Sequence, residues 1–333
     1  MSDVEVDILI VGAGPVGLFG AYYAGARGLS VAVVDSLSQL GGQVTAMYPE
    51  KQIYDIAGLP AVSGRDLVKG LVAQANQYEP TYLLGHEAQR LAAGEDGRQV
   101  VTTSEGTQIT CGAIVLTGGI GTFTPRKLPA GEEFLGRGLD YFVPDSSGYA
   151  GKDVLIVGGG DSAIDWCLML EPLAASVTLV HRREAFRAHE ASVEQVRESG
   201  VQIITNAEVN ELAGGTTVEK AVVQVKGGEA QTLACHKVVA ALGFTANLGP
   251  LREWGLELHD NRHIVVDTAM RTNLAGVFSA GDITDYDGKV RLIAVGFGEV
   301  ATAVNNAAVH IDPKVQLFPG HSTDTPHSVP VPA

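Results

Sequence analysis

The hydrophobic pattern of the chain begins with an apolar run, a glycine-rich turn and a second apolar run. Residues 8–11 are uniformly apolar, as expected of a strand that is buried on both faces of a parallel sheet. A helical stretch follows the turn as far as about Arg27, and the second apolar run, residues 31–34, ends at Asp35. This order of strand, glycine turn, helix and strand predicts a βαβ unit.

The turn carries Gly12, Gly14 and Gly17, the spacing of glycines in dinucleotide-binding turns. Gly12 permits the tight turn, Gly14 lets backbone N–H groups approach a pyrophosphate, and Gly17 lets the helix pack against the strand. The helix N-terminus adds partial positive charge for the phosphates. Asp35 lies where a carboxylate would accept hydrogen bonds from an adenosine ribose. The unit therefore predicts a dinucleotide site.

The same pattern recurs about 145 residues downstream. The apolar run 154–157 precedes Gly158, Gly160 and Ala163, and a helix over residues 164–173 and a strand over 177–180 come next. Alanine at the third small position is a variation that the pattern allows. One chain therefore carries two predicted dinucleotide sites.

The two predicted sites differ in the residues after their second strand. The first strand pair ends at Asp35, whereas Arg182, Arg183 and Arg187 come after the second pair. A carboxylate repels a 2′-phosphate, whereas guanidinium groups bind it in a bidentate manner. The first site is predicted to bind an unphosphorylated adenosine, as in FAD, and the second to bind NADP.

The remaining pattern is typical of two α/β domains joined by linkers. One helix is predicted over 65–78, and another is predicted to start near Gly298, in a glycine-rich stretch. Further strands are predicted at 100–103, 108–110, 113–116, 201–205, 222–225, 238–242, 264–267 and 277–280. Pro125 and Pro129 indicate a linker. The tail from Asp312 is rich in Pro, Ser, Thr and His, a composition typical of disorder.

Composition narrows the functional classes. The chain has 333 residues, 45% of them apolar, and a net charge of −15, which disfavours nucleic-acid binding. The three cysteines are far apart in the sequence, so they form no CxxC pair and do not have the spacing of zinc ligands. No metal cluster is predicted. The acidic N-terminus does not resemble a signal peptide, and the glycines interrupt the one candidate membrane span. We expect a soluble cytoplasmic protein.

Six motifs carry a family resemblance: GAGPVG, LGGQ, VLTGGIG, VGGGDSA, HRR…FR and SAGD, in this order. They resemble the two-dinucleotide flavoprotein family that includes thioredoxin reductase, over nearly the whole chain. The resemblance implies an α/β fold of two Rossmann-like dinucleotide-binding domains. An NADP-binding domain, residues 121–245, would be inserted into an FAD-binding domain of residues 1–120 and 246–333, with a C-terminal extension from about residue 312.

One departure from thioredoxin reductases bears on the chemistry. Those enzymes carry a CxxC just before the NADP-site strand, whereas residues 141–148 contain no cysteine, which excludes a dithiol relay at that place. QLGGQ followed by MYPEK and YDIAG, then HRREAFRAHE and a C-terminal PGHST, instead resemble the ferredoxin (or flavodoxin)–NADP reductases of the thioredoxin-reductase type.

This resemblance implies cofactor contacts at single residues. Asp35 would hold the FAD ribose, and Gln43 would contact the cofactor. Ala88 would meet the adenine through its backbone. Phe123 would lie beside the flavin, and Asp282 would bind the ribityl–phosphate region.

The resemblance also implies catalytic roles for Tyr48 and His321. Tyr48 would stack on one face of the isoalloxazine. His321, Ser322 and Thr323 belong to the extension that would cover the other face, so this part of the tail is expected to be ordered. Tyr48 and His321 would then sandwich the flavin and control access to it.

The implied activity is reversible electron transfer between NADPH and ferredoxin or flavodoxin through FAD, in a homodimer. An NADPH-dependent flavin oxidase or diaphorase, a flavoprotein without turnover and a thioredoxin-reductase-like enzyme remain alternatives. An acidic carrier would need a local basic patch on this acidic chain. Arg126, Lys127, Lys289 and Arg291 are the candidates.

Overall fold

A computed structural model describes residues 3–143 and 145–321, without the side chains of Asp96, Thr122, Phe123 and Ala246. The chain divides into two compact units. Unit 1 comprises Met1–Thr122 and Ala246–Ala333, and unit 2 comprises Phe123–Thr245. Unit 2 is thus inserted into unit 1 in sequence, and β-strands and α-helices occur in both units, so the predicted α/β class is confirmed.

The secondary structure comprises strands, α-helices and short 3₁₀ helices. The strands are β1 (Val4–Val11), β2 (Val31–Asp35), β3 (Gln52–Ile53), β4 (Val62–Ser63), β5 (Thr81–Leu84), β6 (Ala88–Ala93), β7 (Gln99–Thr103), β8 (Gln108–Leu116), β9 (Thr122–Pro125), β10 (Leu139–Asp140), β11 (Asp153–Gly158), β12 (Ser176–Val180), β13 (Gln202–Ile204), β14 (Ala207–Gly214), β15 (Val218–Val225), β16 (Ala230–Ala234), β17 (Lys237–Ala241), β18 (Phe244–Asn247), β19 (Leu258–His259), β20 (His263–Val265), β21 (Val277–Ser279) and β22 (Thr284–Asp285). The α-helices are α1 (Pro15–Ala26), α2 (Gly42–Met47), α3 (Gly64–Ala75), α4 (Asp161–Leu170), α5 (Glu190–Glu198) and α6 (Ile293–Ile311). The 3₁₀ helices occupy Asn76–Tyr78, Glu95–Gly97, Glu132–Phe134, Ser146–Tyr149 and Gly249–Trp254.

The main sheet of unit 1 has the order β5-β2-β1-β8-β7-β6, and β21 also pairs with β8. The pairs β1–β2, β1–β8, β2–β5 and β21–β8 are parallel, whereas β6–β7 and β7–β8 are antiparallel. Ile8, Leu9 and Ile10 in β1 are fully buried, which explains the continuous apolar run. The first glycine turn and Asp35 lie at the carboxyl ends of β1 and β2, at one edge of the sheet.

Unit 2 contains a second parallel sheet, in the order β10-β17-β11-β12-β13. An antiparallel sheet, β14-β15-β16, completes the unit. Side chains of α4 and α5 pack on the parallel sheet, with Ile164, Cys167 and Val196 fully buried. The second glycine turn lies between β11 and α4, and the three arginines come after β12.

Two glycines lie inside regular elements, although the sequence pattern predicts a break or a helix start near each of them. The predicted strands 108–110 and 113–116 are one strand, β8, because Gly112 lets Ile311 pack on it: a Cβ at Gly112 would lie 2.9 Å from Ile311 Cγ1. The predicted helix start near Gly298 is wrong, since α6 begins at Ile293. Gly296 lies inside this helix. Glycine is required there for close packing, because a Cβ would lie 2.5 Å from Val16 Cγ2.

Candidate functional site

The first glycine turn has the shape that its spacing predicts. Gly12 has φ +115°, and a Cβ there would lie 2.6 Å from the carbonyl oxygen of Thr117. A Cβ at Gly17 would lie 1.8 Å from the carbonyl oxygen of Gly12, so close packing requires both glycines. A Cβ at Gly14 would instead meet no atom within 4 Å. Gly14 is also the N-cap of α1, and as a glycine it leaves the first N–H groups of the helix without a side-chain cap. The open space before this helix N-terminus fits a phosphate group.

Asp35 is the last residue of β2 and lies against this turn. Its Oδ2 accepts a hydrogen bond from the N–H of Ala13 at 2.6 Å, and its Oδ1 accepts one from Leu37 at 2.8 Å. The pKa of Asp35 is raised, because the effect of burial exceeds the lowering by the two backbone hydrogen bonds. The N–H of His86 donates to the carbonyl oxygen of Asp35 at 3.0 Å, so the segment that leads to Ala88 runs beside the main chain of Asp35.

Gln43 lies at the start of α2, beside the same edge of the sheet. The N–H of Gly41 donates to the carbonyl oxygen of Ala13 at 2.8 Å, which fixes this segment to the glycine turn. The Gln43 Nε2 atom lies 2.7 Å from where a Cβ of Gly119 would be, next to the segment after β8. The structure therefore brings the loops after β1, β2 and β8 together around one open space.

Tyr48 and Asp282 are also brought together, although 234 positions separate them in the sequence. Burial raises the pKa of the Tyr48 hydroxyl, and the negative charges of Asp282 and Asp55 raise it further. Asp282 comes directly after Gly281, which has φ +83°. Gly281 lies beside Val16 of α1, since an ideal Cβ at Gly281 would be 3.3 Å from Val16 Cγ2. Burial raises the pKa of Asp282, whereas the charges of Lys289 and Arg291 lower it.

The second glycine turn, in unit 2, repeats the first. A Cβ at Gly158 would lie 2.4 Å from the carbonyl oxygen of Ala241 and 2.9 Å from the buried Cβ of Ala163. A Cβ at Gly160 would meet no atom within 4 Å, and this N-cap again provides no side-chain bond to the helix, α4. This helix N-terminus also fits a phosphate group.

His181 links the second glycine turn to the arginine segment. An ideal Cβ at Gly159 would lie 2.1 Å from the His181 ring, which stacks on Phe186 with ring centroids 5.2 Å apart. The N–H of Arg187 donates to the carbonyl oxygen of Gly159 at 2.7 Å, which places the arginine segment beside the turn.

The arginine segment is positively charged and accessible. The side chains of Arg182, Arg183 and Arg187 are exposed. Burial lowers the pKa of His181, and the three arginine charges lower it further. The positive charges beside the second turn contrast with the carboxylate beside the first, so the two sites differ in charge as the sequence predicts.

Several predicted site residues are not joined to these sites by a described contact. His321 is exposed, and its ring meets that of Phe318 edge-on at 5.1 Å. The Phe123 side chain, Ser322 and Thr323 lie outside the described residues. The roles predicted for them stay predictions.

The four residues predicted for a basic patch differ in exposure and pairing. Arg126 is exposed. The expectation that Lys289 contributes to an exposed patch is wrong, since its side chain is only 2% exposed and pairs with Glu299. Lys127 pairs with Glu132 at 3.1 Å, and Arg291 pairs with Asp285 at 3.1 Å. These pairings reduce the positive charge that the chain can offer to an acidic partner.

The sequence predicts no role at a cofactor site for Glu299 or Lys289. Their side chains form a buried ion pair beside the Gly281–Asp282 turn. The signal for Glu299 is a single carboxylate within the apolar stretch IAVGFGEVATAV of α6. A buried charge in such a stretch indicates a specific partner.

The three cysteines, Cys111, Cys167 and Cys235, are buried free thiols. Burial raises the pKa of each thiol to about 12, so none is poised as a thiolate. Within residues 3–143 and 145–321, no group of three or more His, Cys, Asp or Glu side chains could hold a metal ion. Over the same described residues, no helix is both long enough and apolar enough to span a membrane.

Comparison with known proteins places this geometry in a family. The family model described as pyridine nucleotide-disulphide oxidoreductase matches residues 6–307. The chain belongs to this family. The membership confirms the predicted enzyme class, an oxidoreductase, and the family description names a pyridine nucleotide, in agreement with a nicotinamide cofactor.

Named relatives are similar to the chain over nearly its whole length. A protein from Salinispora arenicola named ferredoxin–NADP reductase is 64% identical over 320 residues, which cover 96% of this chain and 99% of the relative. A protein of the same name from Nocardioides sp. is 61% identical, covering 96% and 98%.

A solved structure agrees with the fold. The T. acidophilum thioredoxin reductase has a TM-score of 0.74 at 26% identity and covers 93% of this chain and 99% of its own. This similarity confirms the predicted fold class, two dinucleotide-binding domains with one inserted into the other, and the family resemblance drawn from the motifs.

Proposed function

We propose that this family member is an FAD-dependent ferredoxin–NADP reductase. The observation that carries the proposal is the opposite charge beside the two glycine turns, a carboxylate in unit 1 and three exposed arginines in unit 2. The opposite charges support an unphosphorylated adenosine at the first site and a 2′-phosphate at the second. The names of relatives at 64% and 61% identity support ferredoxin as the partner.

Unit 1 is proposed as the FAD-binding domain, for which the sequence predicts residues 1–120 and 246–333. Gly12, Gly14 and Gly17 would admit the pyrophosphate to the N-terminus of α1, as the open space at Gly14 supports. Asp35 retains acceptor capacity for ribose hydroxyls, because each of its oxygens accepts only one described hydrogen bond. The remaining FAD contacts are proposed for Gln43, Tyr48, Ala88, Phe123, Asp282 and Thr323.

Unit 2 is proposed as the NADP-binding domain, for which the sequence predicts residues 121–245. Gly158, Gly160 and Ala163 would place the pyrophosphate at the N-terminus of α4. The guanidinium groups of Arg182, Arg183 and Arg187 would bind the 2′-phosphate. They would attract it more strongly than any other exposed group of this segment.

FAD held by these residues would supply hydride acceptance from NADPH and one-electron release to a carrier. The chain's own residues bind and orient the two cofactors. Tyr48 is half-buried against the apolar cluster that includes Val44 and Ile56, and it would supply an aromatic surface for one flavin face. His321 is proposed for the opposite face. An acid–base pair is not needed for this chemistry.

The carrier is proposed to be ferredoxin, with flavodoxin as a second candidate of the same one-electron class. The homodimer remains a proposal from the family resemblance. A flavin oxidase or diaphorase without a protein carrier is the rival activity. The observation on its side is that Lys127 and Lys289 both pair with glutamates.

The deciding experiment is an absorption spectrum of the purified protein, followed by NADPH-driven cytochrome c reduction with and without ferredoxin. We expect flavin absorption and a reduction rate that depends on ferredoxin. A colourless protein would refute FAD binding. A yellow protein that ferredoxin does not stimulate, with fast oxygen turnover, would favour the oxidase or diaphorase.

A further inference from the structure

A buried carboxylate in α6 bonds the turn that precedes Asp282. Glu299 Oε2 accepts a hydrogen bond of 2.7 Å from the N–H of Gly281, and Oε1 accepts one of 2.6 Å from the Tyr286 hydroxyl. Lys289 Nζ donates to both oxygens, at 2.5 and 2.7 Å. The Glu299 and Lys289 side chains are 5% and 2% exposed.

All four of these hydrogen bonds join α6 to one short segment, residues 281–289. Burial of two charges is costly, and apolar replacement of a buried ion pair is often neutral or stabilising. Stability alone therefore does not account for charges at these positions. A carboxylate is needed, however, to accept from a backbone N–H, a hydroxyl and an ammonium group at once.

Hydrogen bonds hold both backbone polar groups of Gly281, the residue before Asp282. Its N–H is held by Glu299, and its carbonyl oxygen accepts from the Thr284 N–H at 3.0 Å and from the Thr284 hydroxyl at 2.7 Å. Its φ of +83° is a conformation that favours glycine. The backbone that presents Asp282 thus depends on the acceptor that Glu299 provides.

We propose that Glu299 is a positioning residue, which holds the Gly281–Asp282 turn in the conformation that binds FAD, while Lys289 holds the Glu299 carboxylate in place through both of its oxygens. This inference rests on the proposed binding of FAD in unit 1. Neither residue is required to touch the cofactor, because both act through the turn.

Unit 2 offers a matched control. Asp140 accepts hydrogen bonds from the Tyr149 hydroxyl at 2.8 Å and from Lys237 Nζ at 3.0 Å, and Lys237 lies 5.0 Å from the Tyr149 ring centroid. Lys289 lies similarly over Tyr286, at 5.4 Å. Both sets combine a lysine, a carboxylate and a tyrosine, but no described hydrogen bond joins Asp140 to a proposed FAD turn.

The test measures FAD release from the full-length holoprotein, as free-flavin fluorescence after dilution, together with thermal unfolding. Glu299→Gln should weaken FAD binding about tenfold to a hundredfold, because a hydrogen bond to a charged group is lost. Asp140→Asn should lower the unfolding temperature and leave FAD binding unchanged. Equal FAD binding in the wild type and Glu299→Gln would overturn the proposal.

A double variant separates positioning from stability. Lys289→Met with Glu299→Leu removes both charges and should recover much of the unfolding temperature that Glu299→Gln loses, while FAD binding stays weak. Wild-type FAD affinity in this double variant, or failure of both variants to fold, would assign the pair a structural role and overturn the proposal. A wild-type protein without flavin would refute the proposed function itself, which is a different outcome.

Discussion

Asp35 Oδ2 accepts a hydrogen bond of 2.6 Å from the backbone N–H of Ala13, which joins the end of β2 to the first glycine turn. The same carboxyl group accepts a second bond from Leu37 through Oδ1. Asp35 therefore has two functions in one position. It shapes the turn through its backbone bonds and is proposed to bind the ribose with its remaining lone pairs.

Asp35→Asn should weaken FAD binding by about tenfold to a hundredfold and lower the free energy of unfolding by about 1–3 kcal/mol. The asparagine amide group would face one of two backbone N–H donors, at Ala13 or Leu37, and leave it unsatisfied. Flavin content after gel filtration and chemical denaturation measure the two effects.

Asp7→Asn is the control for this substitution. Asp7 also accepts from a backbone N–H, that of Ser30 at 2.8 Å, but at the amino end of β2. We expect it to alter stability without loss of flavin. If both variants retain flavin equally, the ribose contact assigned to Asp35 is wrong.

Replacement of Arg182, Arg183 or Arg187 by serine should raise the KM for NADPH about tenfold to a hundredfold each, with little change for NADH. The arginines are exposed and lie beside the glycine turn, where only NADPH offers a 2′-phosphate. Steady-state kinetics with both nucleotides measures the change.

Arg197→Ser is the matched control, since Arg197 is an exposed arginine of α5 that pairs with Glu194. It should leave both KM values unchanged. Equal losses for NADPH and NADH in the three arginine variants would contradict recognition of the 2′-phosphate.

The βαβ units were predictable because their signals are local. The apolar runs of β1 and β11, and the glycines after them, lie within about 15 residues of sequence, and steric contact explains each glycine. The charge difference between the two sites was predictable for the same reason. The pattern therefore indicated the two sites before any long-range contact was known.

Contacts between distant segments were not predictable. The bond from Gly281 to Glu299 depends on how α6 packs, and no periodicity encodes it. Gly112 and Gly296 resembled breaks in the pattern because the residues they approach, Ile311 and Val16, are remote in sequence. Lys289 was assigned to the surface because lysine is usually exposed, whereas its buried partner lies ten positions away.

Simultaneous replacement of Cys111, Cys167 and Cys235 by alanine should leave NADPH-dependent ferredoxin reduction intact. All three thiols are buried, and burial raises the pKa of each to about 12, so a thiolate relay is disfavoured. The variant should lose about 1 kcal/mol of stability at each site. A variant that keeps FAD and its reduction by NADPH but no longer reduces ferredoxin would contradict this prediction.

Gly159→Ala should lower the free energy of unfolding by about 1–3 kcal/mol and weaken NADPH binding, because the new Cβ would overlap the His181 ring. Gly148→Ala is the control, since a Cβ there meets no atom within 4 Å. Chemical denaturation and NADPH titration measure both effects. In a His181→Ala background, Gly159→Ala should cause little further loss of stability, because the ring that the new Cβ would overlap is absent. If His181→Ala alone weakens NADPH binding, His181 also positions the arginine segment. If Gly159→Ala destabilises the protein equally in both backgrounds, overlap with the ring is not the cause of the loss.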